Sequence, residues 1–174
     1  MKIALIGLAA LATLIALLAI VGWSLPLKHR AARQASLAAS PDVVYAAISS
    51  PTNFPSWRSR VTSVEMLSER DGHRSYREIG SDGKILYVVE AATPASRLVT
   101  RIADPSLPFG GTWTYELVPA RAGMTLCITE DGEVYNVIFR VMSKYVFGHT
   151  ATIDTYLLDL GRHLGQDVTI TDVT

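Results

Sequence analysis

The pattern of apolar and polar positions changes character along this chain. From Ile3 to Leu27 the residues IALIGLAALATLIALLAIVGWSLPL carry no charge, and the run exceeds the ~20 residues a helix needs to cross the hydrocarbon core of a bilayer. One spanning helix within residues 1–27 is expected, with Trp23 as an interfacial aromatic and Lys28, His29, Arg30 and Arg33 as a basic flank. A cleaved secretory signal competes with this reading, because Lys2 supplies a charged start. Against it, the apolar run is longer than an h-region of ~7–15 residues, and Gly22-Trp23-Ser24 is a poor small-x-small cleavage site. Lys2 and the amino terminus before the run, set against Lys28, Arg30 and Arg33 after it, favour a cytoplasmic domain only slightly. Residues 28–32 read as a basic juxtamembrane linker.

Beyond the linker, RQASLAAS alternates and predicts a strand ending at Ser40. SPDVVYAAISS then predicts a short helix: Ser40 stands at the N-cap position, Pro41 is first in the helix, and Val44, Ala47 and Ile48 share a face. PTNFPSWRS is too broken by Pro51 and Pro55 for a long helix, but Phe54 and Trp57 are spaced to seal one end of a core.

From Val61 to about Tyr135, strand-like segments alternate with turn signals at Asp71-Gly72, Ser81-Asp82-Gly83, Thr93-Pro94, Gly110-Gly111 and Ala122-Gly123. They predict an antiparallel meander. In TWTYELV, Trp113, Tyr115 and Leu117 take one face, while Thr112, Thr114 and Glu116 take the other. In MTLCITEDGEVY, Leu126, Ile128 and Glu130 share a face, which sets a carboxylate on the apolar side.

After Tyr135 the period lengthens. Phe139, Met142, Val146, His149, Ile153, Leu157, Leu160 and Leu164 recur every three or four residues, which predicts a single long helix to about His163 stopped by Gly165. The tail at 166–174 stays unassigned. Elements in this order imply an α+β domain over 33–165, with a curved sheet wrapped around a C-terminal helix.

Composition narrows the chemistry. The 16 Lys plus Arg balance the 16 Asp plus Glu without clustering on one element, which argues against a nucleic-acid partner. Cys127 is the only cysteine, so no intrachain disulfide is possible, and it reads as a small apolar strand residue. The histidines, His29, His73, His149 and His163, lack zinc-site spacing. No phosphate-cradling glycine loop and no GxSxG elbow is present. Neither a metal nor a cofactor is expected.

The stretch SPDVVYAAISSPTNFPSWRSRVTSVEML resembles the opening of the SRPBCC superfamily, which includes polyketide cyclase/dehydrase-like proteins, START domains and the birch pollen allergen family. RIADPSLPFGGTWTYEL and EDGEVYNVIFRVMSKYVFGHTATIDTYL resemble a bacterial branch of it. The resemblance implies a helix-grip fold: a seven-stranded antiparallel sheet, two short helices after the first strand, and a long C-terminal helix closing a hydrophobic cavity. It also implies a lipid, isoprenoid or polyketide-like ligand, or cyclisation or dehydration chemistry.

Catalysis of that kind needs an acid or base inside an apolar pocket. Glu130 could be a buried base, or a rim carboxylate paired with Arg101 or Arg77. His149 could shuttle protons from the helix stripe, or be a satisfied core histidine, and Asp154 is off its face and reads as a solvated or capping charge. Glu133 and Tyr135 fall at the cavity mouth implied by the resemblance, where they could bind a polar group or fix the strand-to-helix turn. Tyr87, Trp113, Tyr115 and Met142 are candidate walls of an apolar pocket, although such residues also fill ordinary cores. The expected function is membrane-anchored binding of a small hydrophobic ligand. The rivals are a cyclase, dehydratase or hydrolase, and an interaction protein with a filled cavity.

Overall fold

The computed structural model describes residues 2–173, with the side chains of Ile3 and Phe147 excepted. Met1 and Thr174, at the outer ends of the expected anchor and tail, lie outside the described residues. Helix α1 spans Lys2–Ser24, and the most apolar window within it is not buried against the rest of the protein. It stops ahead of Leu25-Pro26, because a residue preceding proline is pushed out of the helical region. Strand β1, Lys28–Leu37, follows. Residues 28–32 are therefore the first part of a strand, not a linker. Within β1, His29, Ala31, Arg33, Ala35 and Leu37 alternate onto one face and leave Lys28 and Arg30 on the other. The ladder ends at Leu37 rather than at Ser40, and the Ala38 amide donates instead to the Gln166 side chain at 2.8 Å.

Helix α2, Pro41–Ile48, buries Val44 and Ile48. Ser40 holds the extended N-cap conformation, but its hydroxyl makes no capping bond. A 3-10 turn, Pro51–Ser56, buries Phe54 and delivers Trp57 to the core. The meander then runs through β2 (Val61–Arg70), β3 (His73–Gly80), β4 (Gly83–Thr93), β5 (Arg97–Ile102), β6 (Phe109–Ala120) and β7 (Gly123–Val134). The β2–β3 hairpin turns on Asp71-Gly72, both at positive φ, as the twist of a tight hairpin demands. The seven expected strands are joined by an eighth, β8 (Ile170–Asp172), which forms from the unassigned tail. The sheet order is β2-β3-β4-β5-β6-β7-β1-β8 with antiparallel neighbours. Since β1 and β2 lie at distant positions in the sheet, α2 and the 3-10 turn must carry the chain between them.

The single long C-terminal helix is not found. Instead, α3 (Val137–Met142) runs into a π turn (Ser143–Phe147), the chain breaks at Gly148, and α4 (Ala151–His163) starts afresh. Gly148 has φ 72° and ψ 159°, a conformation that no residue within a right-handed helix holds. Only α4 covers the sheet. Ile153, Leu157 and Leu160 are fully buried there, on one face at helical spacing. Leu157→Ala should therefore lower unfolding stability by about 2–5 kcal/mol, measured by denaturant titration.

Candidate functional site

Strand pairing lines up side chains across the inner face, the one beneath α4. Tyr76 faces Tyr87, and their rings stack with centroids 5.4 Å apart. One row runs Val89, Thr100, Trp113, Glu130 and Ala31, and the next runs Leu98, Tyr115 and Ile128. From above, Tyr156 of α4 inserts its ring 5.3 Å from Trp57, 5.6 Å from Tyr115 and 5.9 Å from Trp113. Three expected wall residues, Tyr87, Trp113 and Tyr115, thus belong to one aromatic cluster. The rings pack against one another.

Two charged groups sit inside this cluster. Arg58 leaves the 3-10 turn with its guanidinium 4.9 Å from the ring centroids of both Phe54 and Tyr156, and it ion-pairs with Glu78 of β3. Its neighbour Ser59 donates to Asp159 of α4 from the amide at 2.7 Å and from the hydroxyl at 2.8 Å, which pins Arg58 under the helix. The Arg58 and Glu78 side chains are 16% and 9% exposed. Burial lifts the pKa of the Glu78 carboxyl above the usual range, against the opposing pull of Arg58. Burial also lifts Tyr76, Tyr87, Tyr115 and Tyr156, so each presents a neutral hydroxyl. Trp57 Nε1 is buried without a hydrogen-bond partner, while the Tyr156 hydroxyl has the Tyr115 hydroxyl as its neighbour. An unmet buried polar group costs about 1–3 kcal/mol, and a buried ion pair seldom outperforms apolar packing. Perturbed groups of this kind cluster at functional sites, which makes Arg58, Glu78 and Trp57 the candidate site residues.

Sequence reasoning missed Arg58 and Glu78. The alternation in RSYREIG puts Tyr76 and Glu78 on one face, the same signal that brought out Glu130, whereas nothing local distinguishes Arg58 from Arg60, Arg74 or Arg77.

The other polar group on the inner face lies at the end nearest α1. Glu130 faces inward as expected, but Arg101 and Arg77 are taken by Glu90 and Glu65. Its neighbour is His29, with Nε2 3.6 Å from Glu130 Oε1, and His29 stacks on His149 with centroids 3.9 Å apart. His149 occupies the helix break, with Nδ1 3.3 Å from the Ser143 hydroxyl. Asp154, in the first turn of α4 and 32% exposed, is ion-paired. It meets Arg33 Nε at 3.0 Å. The Tyr135 hydroxyl donates to Glu133 at 3.0 Å, and Lys28 lies 3.4 Å from the same carboxylate, so both groups are held locally at the end of β7. Met142 is exposed on α3, away from the aromatic cluster.

A cavity of about 30 Å³ lies at this end, lined by Leu25, Pro26, His29, Arg140 and His149 among others. A polar groove of about 430 Å³ lies between the tail and the outer face of β1 and β7, lined by Gln34, Ser36, Thr125, Asp167, Thr169 and Thr171. Neither occupies the grip. No cluster of three or more His, Cys, Asp or Glu suited to a metal occurs among the described residues.

Burial lowers the His149 pKa, and the neighbouring His29 adds to the effect while Glu130 opposes it. A depressed imidazole contributes stability that is fully present above the ordinary histidine range and is lost as the pH falls through the folded-state value. Wild-type protein should therefore lose more stability than His149→Gln between neutral and mildly acidic pH, as read by denaturant midpoints along a pH series.

No curated protein matches this chain. Among solved structures, a START superfamily protein from Mycobacterium smegmatis is 15% identical with a TM-score of 0.63, over 79% of this chain and 97% of that one. The Zhui aromatase/cyclase from Streptomyces sp. R1128 is 13% identical with a TM-score of 0.61, over 79% and 92% of the two chains. The di-domain ARO/CYC StfQ from the steffimycin biosynthetic pathway is 17% identical with a TM-score of 0.62, covering 77% of this chain, which spans about 50% of that protein's length. At these identities the likeness establishes the helix-grip fold, and the family follows from a match over residues 28–152, well over half the chain. On that match, the protein belongs to the polyketide cyclase/dehydrase and lipid transport family.

Proposed function

We propose that this protein is a membrane-tethered binder of a small amphipathic molecule, held with its apolar body among the inner-face rings and its polar end at the Arg58–Glu78 cluster. The observation that carries this reading is the buried Arg58–Glu78 ion pair, set among neutral phenols and beside the buried Trp57 Nε1, which has no hydrogen-bond partner. Together they offer an indole N–H, neutral phenols and a guanidinium, a set suited to a carbonyl, hydroxyl or acidic oxygen. The family's lipid-transport description supports a hydrophobic ligand class. Uptake requires the rings to part. The break at Gly148 supports this, because α4 is not rigidly continuous with α3.

The tether is α1, which is long and apolar enough to span a bilayer. Its end is built into the domain: Arg140 donates to the Gly22 and Leu25 carbonyls at 3.3 and 3.2 Å, and the Val134 amide donates to the Leu27 carbonyl at 2.9 Å. A Cβ on Gly22 would collide with the Val137 carbonyl. Cleavage at Gly22-Trp23-Ser24 would remove part of this joint, which favours a retained anchor over a signal peptide.

A second reading rests on the closed packing of the rings: an interaction module whose interior is only a core. Enzymatic cyclisation, dehydration or hydrolysis remains a third use of the same interior, with the raised Glu78 carboxyl now a stronger acid/base candidate than Glu130 or His149. Native mass spectrometry with extraction of bound molecules from protein purified gently from its host separates them. A stoichiometric amphipathic ligand is expected, whereas an empty protein that takes up no lipid or hydrophobic dye favours the interaction module. Trp57→Phe, which deletes the N–H together with the five-membered ring that bears it, should weaken ligand binding by roughly tenfold, the worth of one buried hydrogen bond. Isothermal titration with the extracted ligand, compared at a temperature where both proteins are fully folded, measures that loss separately from the packing cost.

A further inference from the structure

The segment between β7 and α4 has an inward and an outward face of different kinds. Inward, Val141 is buried, the Phe139 ring stacks on Phe109 at 5.8 Å, and Arg140 spends its donors on the carbonyls of Val134, Tyr135, Gly22 and Leu25. Outward, Ile138, Met142, Tyr145 and Val146 fall at helical spacing and are 41%, 36%, 63% and 61% exposed. A soluble surface has no reason to collect these four. Two of them, Met142 and Val146, also belong to the periodicity that made a single long core helix the expectation.

The position of the segment names what covers it. Val137 packs directly on Gly22, one residue before Trp23, which is 81% exposed at the end of the apolar helix. A tryptophan there marks the level of the membrane–water interface. Through the Arg140 hydrogen bonds and the Val137–Gly22 contact, α3 is held against the end of α1, at that same level. Lys144, exposed within the π turn, adds the positive charge that interfacial segments commonly carry, while Lys28 nearby is paired with Glu133.

We infer that α3 and the π turn form a second membrane contact, an interfacial segment that beds Ile138, Met142, Tyr145 and Val146 in the headgroup–acyl boundary and holds the α1 end of the grip against the bilayer. The inference rests on α1 being a membrane anchor. Its consequence for ligand binding is positional: the helix break and the His29–His149 pair lie at the lipid surface, so a ligand leaving the bilayer meets the inner face without crossing water.

The test uses the full chain with Cys127→Ser, reconstituted in phosphatidylcholine–phosphatidylglycerol vesicles, with an NBD fluorophore on one introduced cysteine at a time. Val146→Cys and Tyr145→Cys report on the segment, and Leu14→Cys reports on the anchor. Val118→Cys serves as the aqueous control, since it is 55% exposed toward the other end of β6, about 30 Å from the strand's start at ~3.3 Å per residue. Doxyl-labelled lipid should cut emission about twofold or more at positions 145, 146 and 14, and leave position 118 unchanged, as expected for side chains seated in the acyl boundary. If position 14 is quenched while 145 and 146 behave like 118, the segment is aqueous and the inference fails with the anchor intact. Failure of quenching at 14 as well overturns the anchor reading and the inference with it. Blue-shifted emission at 145 and 146 without lipid quenching means that another protein surface covers the segment, a second copy included, and equally overturns it.

Discussion

The grip depends on α4 staying seated on the inner face, and the carboxylate of Asp159 is where that seating is made specific. Apolar burial of Ile153, Leu157 and Leu160 supplies the driving force, but such burial is nondirectional and would tolerate a helix slid along the sheet. Asp159, 3% exposed, accepts from the amide and hydroxyl of Ser59 and pairs with Arg162 on its own helix. A buried carboxylate left without these donors would be expensive. The register of α4 over the 3-10 turn is therefore set by a polar contact, and Arg58, adjacent to Ser59, takes its place under Tyr156 as a result. Stability and site geometry share one joint.

What was legible in the sequence follows from the range over which each signal acts. The inner-face positions of Trp113, Tyr115, Leu117 and Glu130 come from strict alternation within a few residues, and strand pairing bears them out. The α2 boundary is likewise a local matter of Ser40 and Pro41. The helix break was hidden for a specific reason: the apolar spacing from Phe139 to Leu164 passes through Gly148 without losing phase, so periodicity reports a continuous helix where the backbone reverses. The glycine was the available signal. Residues 28–32 were misread because Lys28 and Arg30 dominate their composition, while the inward set of His29, Ala31 and Arg33 alternates among charged neighbours.

The polar heart of the site was not legible, because it is assembled by topology. Arg58 and Glu78 are brought together by the hairpin that returns β3 alongside β2, and the tyrosines around them come from β3, β4, β6 and α4. No short window contains more than two members. The partner of Glu130 was misassigned for the same reason. Arg101 and Arg77 are nearer in the expected meander, but each is neutralised by a carboxylate on the adjacent strand, and the partner comes from β1, the first strand, which closes against β7, the last of the meander.

That closure bears on how the two ends of the inner face divide their work. At the α1 end the polar groups are the partly buried imidazoles of His29 and His149 beside Glu130, which border a small cavity. At the far end the ionisable groups are sealed among rings, with an ion pair that gains little over hydrocarbon and hydroxyls held neutral by burial. A chain selected only for stability would fill the sealed end with leucine. Retaining charge there, in a domain whose apolar core is otherwise complete, costs stability relative to hydrocarbon packing, and that cost is the physical basis of the proposed binding of a polar group. The same reasoning applied to the exposed Tyr145 and Val146 leads to a lipid surface rather than to solvent. One proposed geometry accounts for both departures from ideal packing: an anchored end that meets the bilayer and a sealed end that meets the polar part of a ligand.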